Sequence, residues 1–239
     1  MEESRILNEI KHGSYLAEKG AGEIWNWESP AGKLRWKRRA KMLIADIKSG
    51  DKVLELGCGT GYFTKEIAKT NAEITTIDIS QDLISLAIKS VKEDSVKFVV
   101  ENAYETKFPG SSFDIIVGSS VLHHLDIERA LSEMYRLLKK GGEIVFTEPN
   151  ILNPQIFLER KFRKFFPYVS PDETAFIRIA LKHKLVRHGF KNISIIPFDW
   201  LHPSTPISLI QGVIKFGRIL ERLPLFKEFS GSIYIKAYK

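Results

Sequence analysis

A chain of 239 residues with 44% apolar and 27% charged residues has the make-up of an ordinary globular protein, which sets aside disordered, collagen-like and disulfide-scaffold classes. A total of 36 Lys and Arg against 29 Asp and Glu leaves a net charge of +7. That field favours acidic partners without naming one, so nucleic acid, an anionic lipid surface and an anionic metabolite all stay open. The single cysteine, Cys58, rules out an intrachain disulfide and a four-cysteine metal site and fits a reducing cytoplasm.

The opening MEESRILNEI carries acids and no apolar centre, unlike a secretory signal, and no apolar run reaches the roughly 18 residues a membrane span needs. A cytoplasmic protein is expected. The densest basic run, KLRWKRRAK at 33–41, reads either as a solvated helix face or as a phosphate-binding patch. An alternation follows it: apolar VLEL (53–56), amphipathic YFTKEIAKT, apolar EITTIDI (73–79), then SQDLISLAIKSVKE. Ser80 is placed to cap that last helix, because its hydroxyl can accept from an unpaired first-turn N–H. VKFVVEN and FDIIVGS (113–119) read as the next two strands, DIERALSEMYRLLKKGG as a helix ended by glycines, and EIVFTEPN as a fifth strand. Strands and helices taking turns predict an α/β fold with a parallel sheet covered on both faces.

The pattern changes after Asn150. Asn153 and Pro154 are the expected N-cap and first residue of a basic amphipathic segment, IFLERKFRKFF. A helix over DETAFIRIALKHKLVRHG closes at Gly189, and FKNISIIPF reads as strand six. Residues 198–226 form a second insertion, and SGSIYIKAYK closes the chain as an alternating strand. One domain spanning 1–239 is expected, with a core of about 40–150, 185–197 and 229–239 and cap segments of about 1–39, 151–184 and 198–228.

The most informative stretch is VLELGCGTG, residues 53–61, a strand running into a turn with Gly57, Gly59 and Gly61. At the carboxyl edge of a parallel sheet such a turn gathers backbone N–H groups and a helix N-terminus where ligands bind. The position where a dinucleotide fingerprint wants its third glycine holds Tyr62, and no Lys-Ser/Thr pair ends the turn. Nicotinamide dinucleotides and P-loop nucleotides are therefore disfavoured.

VLELGCGTG, with Asp78 ending the second strand, resembles the first motifs of the class I S-adenosylmethionine-dependent methyltransferases, and within them the small-molecule type 11, UbiE-like branch. The resemblance runs from about Arg39 to Asn150, and more loosely to the end of the chain. It implies a Rossmann-like seven-stranded, mostly parallel sheet whose last strand is antiparallel, under a helical cap made by the N-terminal segment and the two insertions. It also implies S-adenosyl-L-methionine as cofactor and S-adenosyl-L-homocysteine as product. By position, Gly57, Gly59 and Gly61 pass under the methionine part of the cofactor and Glu55 helps hold its amino group. Asp78 clamps the ribose hydroxyls, with Cys58 and Ile79 beside them. One carboxylate can accept from both hydroxyls, which suits an acid about 20 residues past the loop. The competing readings are a buried structural acid for Glu55 and a helix cap for Asp78.

ENAYETKFPGSSFDIIV resembles the family's adenine segment, where an acid–Ala pair contacts the base edge. Asn102 stands in the acid's place and Ala103 matches, and the Asn102 amide still offers an acceptor oxygen. A surface turn is the alternative. In GSSVLHHLD, Ser119 and Val121 border the cofactor by resemblance, while His123 and His124 are either candidate proton acceptors or loop anchors. Neighbouring histidines point different ways, so at most one is expected to face the site. Glu148, at the end of strand five, either orients an acceptor or caps the next segment. No metal site is expected, since the other four histidines are scattered.

A sulfonium is already an activated methyl donor, so the protein's task is to align the reactants and shut out water. The expected function is in-line methyl transfer to a small, apolar or lipid-like acceptor. The alternatives are an RNA-binding or RNA-modifying protein using the basic 33–41 run and, further off, a nicotinamide-dependent oxidoreductase. Strand four ends GSSV rather than in the acid/Asn-Pro-Pro-aromatic pattern of methyltransferases acting on nucleic-acid amines, which makes nucleic acid the lesser partner. Trp25, Trp27, Phe157, Phe162, Phe165, Phe166, Trp200, Leu209, Ile210, Ile214, Phe216 and Leu225 are expected to form an apolar lid over the methyl group. The arginines and lysines beside them would let that lid rest on an anionic membrane.

Overall fold

The computed structural model describes residues 2–166 and 168–239, so residue 167 of the expected lid segment lies outside the described residues. The chain begins with helices α1 (Glu2–Lys19), α2 (Ala21–Ile24) and α3 (Pro30–Leu43). α3 starts where its residues require: Ser29 Oγ accepts from Gly32 N at 2.9 Å, and Pro30 supplies a helical φ without an orphan N–H. The alternation then runs β1 (Lys52–Leu56), α4 (Thr64–Ala68), β2 (Glu73–Asp78), α5 (Gln81–Ser90), β3 (Val96–Val100), β4 (Phe113–Ser119), α6 (Ile127–Leu137) and β5 (Leu138–Pro149). It continues through α7 (Pro154–Lys161), α8 (Arg178–Arg187), β6 (Lys191–Phe198), α9 (Ile207–Leu220) and β7 (Ser232–Tyr238). The caps foreseen at Ser80 and Asn153 are both made, and Gly189 closes α8 with φ +89°.

The strands form one seven-stranded sheet in the order β3-β2-β1-β4-β5-β7-β6, parallel except for β7, which is antiparallel to both of its neighbours. This is the Rossmann-like sheet that the motifs implied. Consecutive residues of its central strands feed opposite faces. Leu54, Ile116, Ile144 and Phe146 join the core beneath α6 and α8, while Val53, Ile115, Val117 and Val145 join the core beneath α3 and α4. Both faces are dry, which explains why these strands read as unbroken apolar runs. The strand order reverses between β1 and β4, and at such a switch point a parallel sheet opens a crevice at its carboxyl edge.

Two of the boundaries that differ from the sequence reading bear on the site. α6 stops at Leu137 rather than at the glycines: Leu138 turns extended to pair with Phe113, and Ser111 N and Ser112 N take up the carbonyls of Arg136 and Leu137 at 2.9 and 2.8 Å. α8 starts only at Arg178, because Phe176 instead bridges to Asn150 and donates its N–H to Pro149 O. The basic run on α3 divides: Lys33, Lys37 and Lys41 form an exposed helix face, while the arginines are engaged within the protein. Arg35 pairs with Asp199 at 2.8 Å, Arg38 grips both oxygens of Glu221, and Arg39 is buried, 3.5 Å from Asp199.

Candidate active site

A cavity of about 550 Å³ opens at the carboxyl edge of the sheet, in the size range of small-molecule sites. Its floor is the glycine turn. Gly57, Gly59 and Gly61 hold φ of +67°, +54° and +85°, a region that residues with a Cβ rarely adopt. A Cβ at Gly57 would lie 2.5 Å from Val121, and one at Gly61 would press on Val91 and Ser90, so these two glycines permit packing. A Cβ at Gly59 would meet nothing within 4 Å and would project into the open cradle. Gly57 and Gly59 line the cavity with Cys58, whereas Gly61 lies outside the lining. Burial pushes the Cys58 thiol well above its usual pKa, so it is inert.

Asp78 ends β2 at the cavity wall. One oxygen accepts from Gly59 N at 3.0 Å and the other from Ser80 N at 2.9 Å, which ties the turn to the start of α5 and leaves lone pairs for a ligand. Burial raises its carboxyl above the usual range, partly offset by these N–H donors. Ile79, Asn102, Ala103 and Ser119 also line the cavity. Asn102 Oδ1 accepts from Tyr104 N at 3.0 Å, which orients the amide and leaves its second lone pair for a ligand. Glu55 departs from the expectation more clearly. It lies beneath the turn, outside the lining, and accepts from Thr64 Oγ1 at 2.6 Å and Thr76 Oγ1 at 2.9 Å. Burial raises its pKa to about 7, outweighing those two hydroxyls. In this arrangement it is the structural acid of the competing reading.

The loop after β4 carries the histidines on one 3-10 turn, Leu122–His124. Both residues border the cavity, with their ring centroids 4.3 Å apart. Glu148 explains why the turn holds that shape. Its buried carboxylate accepts from Val121 N at 3.0 Å, Leu122 N at 2.9 Å and His123 Nδ1 at 2.6 Å, so it caps this turn rather than the segment that follows β5. It is absent from the cavity lining. The opposite nitrogen of His123 faces Glu173 Oε1 at 3.2 Å, and Arg160 pairs with that same carboxylate. Burial lowers the His123 pKa, but hydrogen bonds and charge from Glu148 and Glu173 outweigh it and carry it to about 9. His123 is therefore an imidazolium with both nitrogens engaged, and it cannot take a proton at neutral pH.

His124 is different. Its Nδ1 lies 2.9 Å from Glu9 Oε2, off line for a hydrogen bond, and its ring stacks on His12 with centroids 5.7 Å apart. Glu9 is itself held by Ser170 Oγ at 2.7 Å. Burial, then the neighbouring His124, lowers the His12 pKa, and its Nε2 is buried without a partner. Glu9, His12, Glu173, Arg39 and Arg160 all line the cavity and were missed in the sequence. Only the spacing of Glu9 and His12, three apart and so on one helix face, was a usable signal. His123, His124 and Glu173 place ligand-type atoms within 4.8 Å of one another, yet His123 and Glu173 already neutralise each other there.

The cap closes the cavity with Trp25 and Trp27 from the N-terminal segment, Ile156 and Tyr168 after β5, and Trp200 and Leu201 after β6. The lid residues expected from composition divide. Trp25, Trp27 and Trp200 face the cavity; Ile210 and Ile214 pack the cap; Phe157, Phe162, Phe165, Leu209, Phe216 and Leu225 face solvent.

A fold of this order, with a glycine turn and a strand-end acid at its switch point, defines a class, and comparison with known proteins agrees. Residues 54–146 match the model of a methyltransferase domain. An uncharacterized methyltransferase of Anoxybacillus flavithermus is 32% identical over 168 residues, 64% of this chain and 77% of that protein. A demethylmenaquinone methyltransferase of Tropheryma whipplei is 32% identical over 136 residues, and the match spans only 56% of each chain. A SAM-dependent methyltransferase from Thermotoga maritima superposes with a TM-score of 0.70 over 95% of this chain and 97% of that one, at 18% identity, a likeness of fold. The chain belongs to the class I S-adenosylmethionine-dependent methyltransferases, as the residue motifs implied.

Proposed function

We propose that residues 1–239 act as one cytoplasmic catalytic unit that transfers a methyl group from S-adenosyl-L-methionine to a small, amphipathic or lipid-like acceptor held beneath the cap. The observation that carries this reading is a single cavity lined both by Gly59 and Asp78 and by Trp25, Trp27 and Trp200 of the cap. Relatives named demethylmenaquinone methyltransferases support an apolar acceptor of that kind. The cofactor, when bound, supplies an activated methyl group, so no covalent enzyme intermediate is needed.

The residues present fit that cofactor. The open space over Gly59 admits close backbone approach, Asp78 keeps lone pairs for ribose hydroxyls, and Ile79, Asn102, Ala103 and Ser119 wall the remainder. Glu55 supports the turn from behind. The aromatic cap excludes water and orients the acceptor. Where the acceptor must lose a proton, His124 is the group to hold it, with Glu9 beside its Nδ1; His123 and Glu148 shape the turn that presents it. The RNA reading has less behind it, because Arg35, Arg38 and Arg39 are engaged within the protein and leave only the lysines of the run exposed.

The test has two arms. Calorimetry with S-adenosylhomocysteine and NADH should show binding of the first alone; NADH binding would end the methyltransferase reading. Incubation of cell extract with methyl-labelled cofactor, followed by separation into lipid, polar-metabolite, RNA and protein fractions, should place label in the lipid fraction. Label confined to RNA or polar metabolites would overturn the acceptor class. His124→Asn should retain S-adenosylhomocysteine affinity while losing turnover of hydroxyl acceptors.

A further inference from the structure

Helix α9 carries two apolar faces, where a helix lying on a protein core needs one. Ile210, Val213, Ile214 and Gly217 recur at three- and four-residue spacing and turn inward, packing on Ala31, Leu201 and Trp200. Leu209, Phe216 and Ile219 recur at helical spacing on a second face and are 56%, 61% and 55% exposed. The apolar surface continues past the helix end through Leu223, Leu225 and Phe226, all exposed.

Charge is arranged around this second face in one sign only. Lys215, Arg218 and Arg222 recur at helical spacing between the two apolar faces, and α9 itself contains no acid. Among the described residues none of these three cations makes an ion pair, whereas the nearby acids are taken: Glu221 by Arg38 and Glu228 by Arg178. The loop that leads into α9 contributes Trp200–Ser204 to the cavity wall, so the helix itself follows directly on the wall of the site. α7 stands on the other side of that loop, joined to it by Gln155 Nε2 and His202 Nε2 at 3.0 Å. Phe157 of α7 and Phe162 just past its end are also exposed, beneath the Lys161 ammonium.

We propose that the outer face of α9 and the segment to Phe226 dock on an anionic lipid bilayer. Leu209, Phe216 and Ile219 enter the acyl boundary, while Lys215, Arg218 and Arg222 meet the headgroups. No helix among the described residues is long and apolar enough to cross a membrane, so the helix lies on the surface. A second copy of the chain would meet these cations with an acid-free α9, whereas an anionic bilayer complements them. Delivery of an apolar acceptor from the bilayer to the adjoining cavity rests on the function proposed above; docking itself does not.

The experiment is co-sedimentation of the full chain with phosphatidylcholine vesicles and with vesicles containing phosphatidylglycerol, at low and high salt. Sedimentation velocity on the lipid-free protein and S-adenosylhomocysteine calorimetry accompany it. Wild type should pellet with the anionic vesicles, weakly or not at all with neutral ones, and release at high salt. Lys215→Glu with Arg218→Glu should reduce partitioning by more than about tenfold, since each cation near the surface contributes to binding. Phe216→Ser with Ile219→Ser should reduce it comparably, and both double variants should keep wild-type cofactor affinity, which shows that the fold stands. Absence of vesicle binding, or binding unaffected by charge reversal, overturns the proposal. A concentration-dependent dimer that Phe216→Ser with Ile219→Ser dissolves would assign the face to a second copy instead. Because cofactor binding is read separately, failure of docking and failure of the methyltransferase reading are distinguishable.

Discussion

His123→Gln replaces a buried cation with a neutral side chain, and its cost should depend on pH in a way that packing loss cannot imitate. In the folded protein Glu148 and Glu173 hold the imidazole at a pKa of about 9, against an ordinary value of 6.5. The raised value means that the folded state binds the proton more tightly than the unfolded chain does. The resulting stabilisation is fully present below about pH 6.5, declines as pH rises and is gone above about 9, a total of about 3 kcal/mol for a shift of this size. Glu173 reports the same contact from the other side, its pKa drawn down to about 2; burial opposes that shift, and the bond and charge of His123 overcome it. The two shifts describe one interaction and do not add. Urea unfolding of wild type and variant at pH values from 6 to 10, with m-values compared at each, isolates the effect, since groups common to both proteins largely cancel. The stability gap should be widest at pH 6 and shrink by about 3 kcal/mol by pH 10. A gap that stays constant over this range would falsify the cationic assignment and restore His123 as a candidate base.

Gly59→Val should leave the fold intact by circular dichroism yet abolish S-adenosylhomocysteine binding, because φ is +54° and the added side chain fills the open cradle; calorimetry at wild-type affinity would remove the turn from the site. Asp78→Asn should weaken cofactor binding by about 2 kcal/mol, the worth of charge-assisted bonds to two hydroxyls. An analogue lacking both hydroxyls should lose little more in that variant, and additive losses would show that Asp78 does not touch ribose. Glu55→Gln should leave cofactor affinity unchanged, since the acid lies behind the turn. Burial raises the Glu55 pKa to about 7 from 4.5. Its carboxylate therefore penalises the wild-type fold increasingly from about pH 4.5 to 7, and the variant should gain relative stability over that interval, by about 3 kcal/mol at most. A parallel pair of stability curves across that range would show that Glu55 is not strained by burial.

Much of the molecule was readable residue by residue, because its cues act over a few positions. Glycines that need positive φ, caps at Ser80 and Asn153, and apolar runs buried on both sides each declare local geometry without help from the rest of the chain. Together they named the sheet, the turn at Gly57–Gly61 and the acid at Asp78, and through them the family. The chemistry of the cavity wall was decided elsewhere. Whether His123 is base or anchor depends on Glu148, 25 residues away, and on Glu173 beyond it; whether His124 is available depends on Glu9 from the first helix. Which cations of the basic 33–41 run are engaged depends on Asp199 and Glu221, more than 160 residues further along the chain. Of the aromatic residues expected in the lid, Trp25, Trp27 and Trp200 line the cavity, while Phe157, Phe162 and Phe165 face solvent. Composition and spacing specify what a side chain can do, while its charge state and its exposure are set by the groups that folding brings within a few ångströms of it, and those come from parts of the chain that share no local pattern with it.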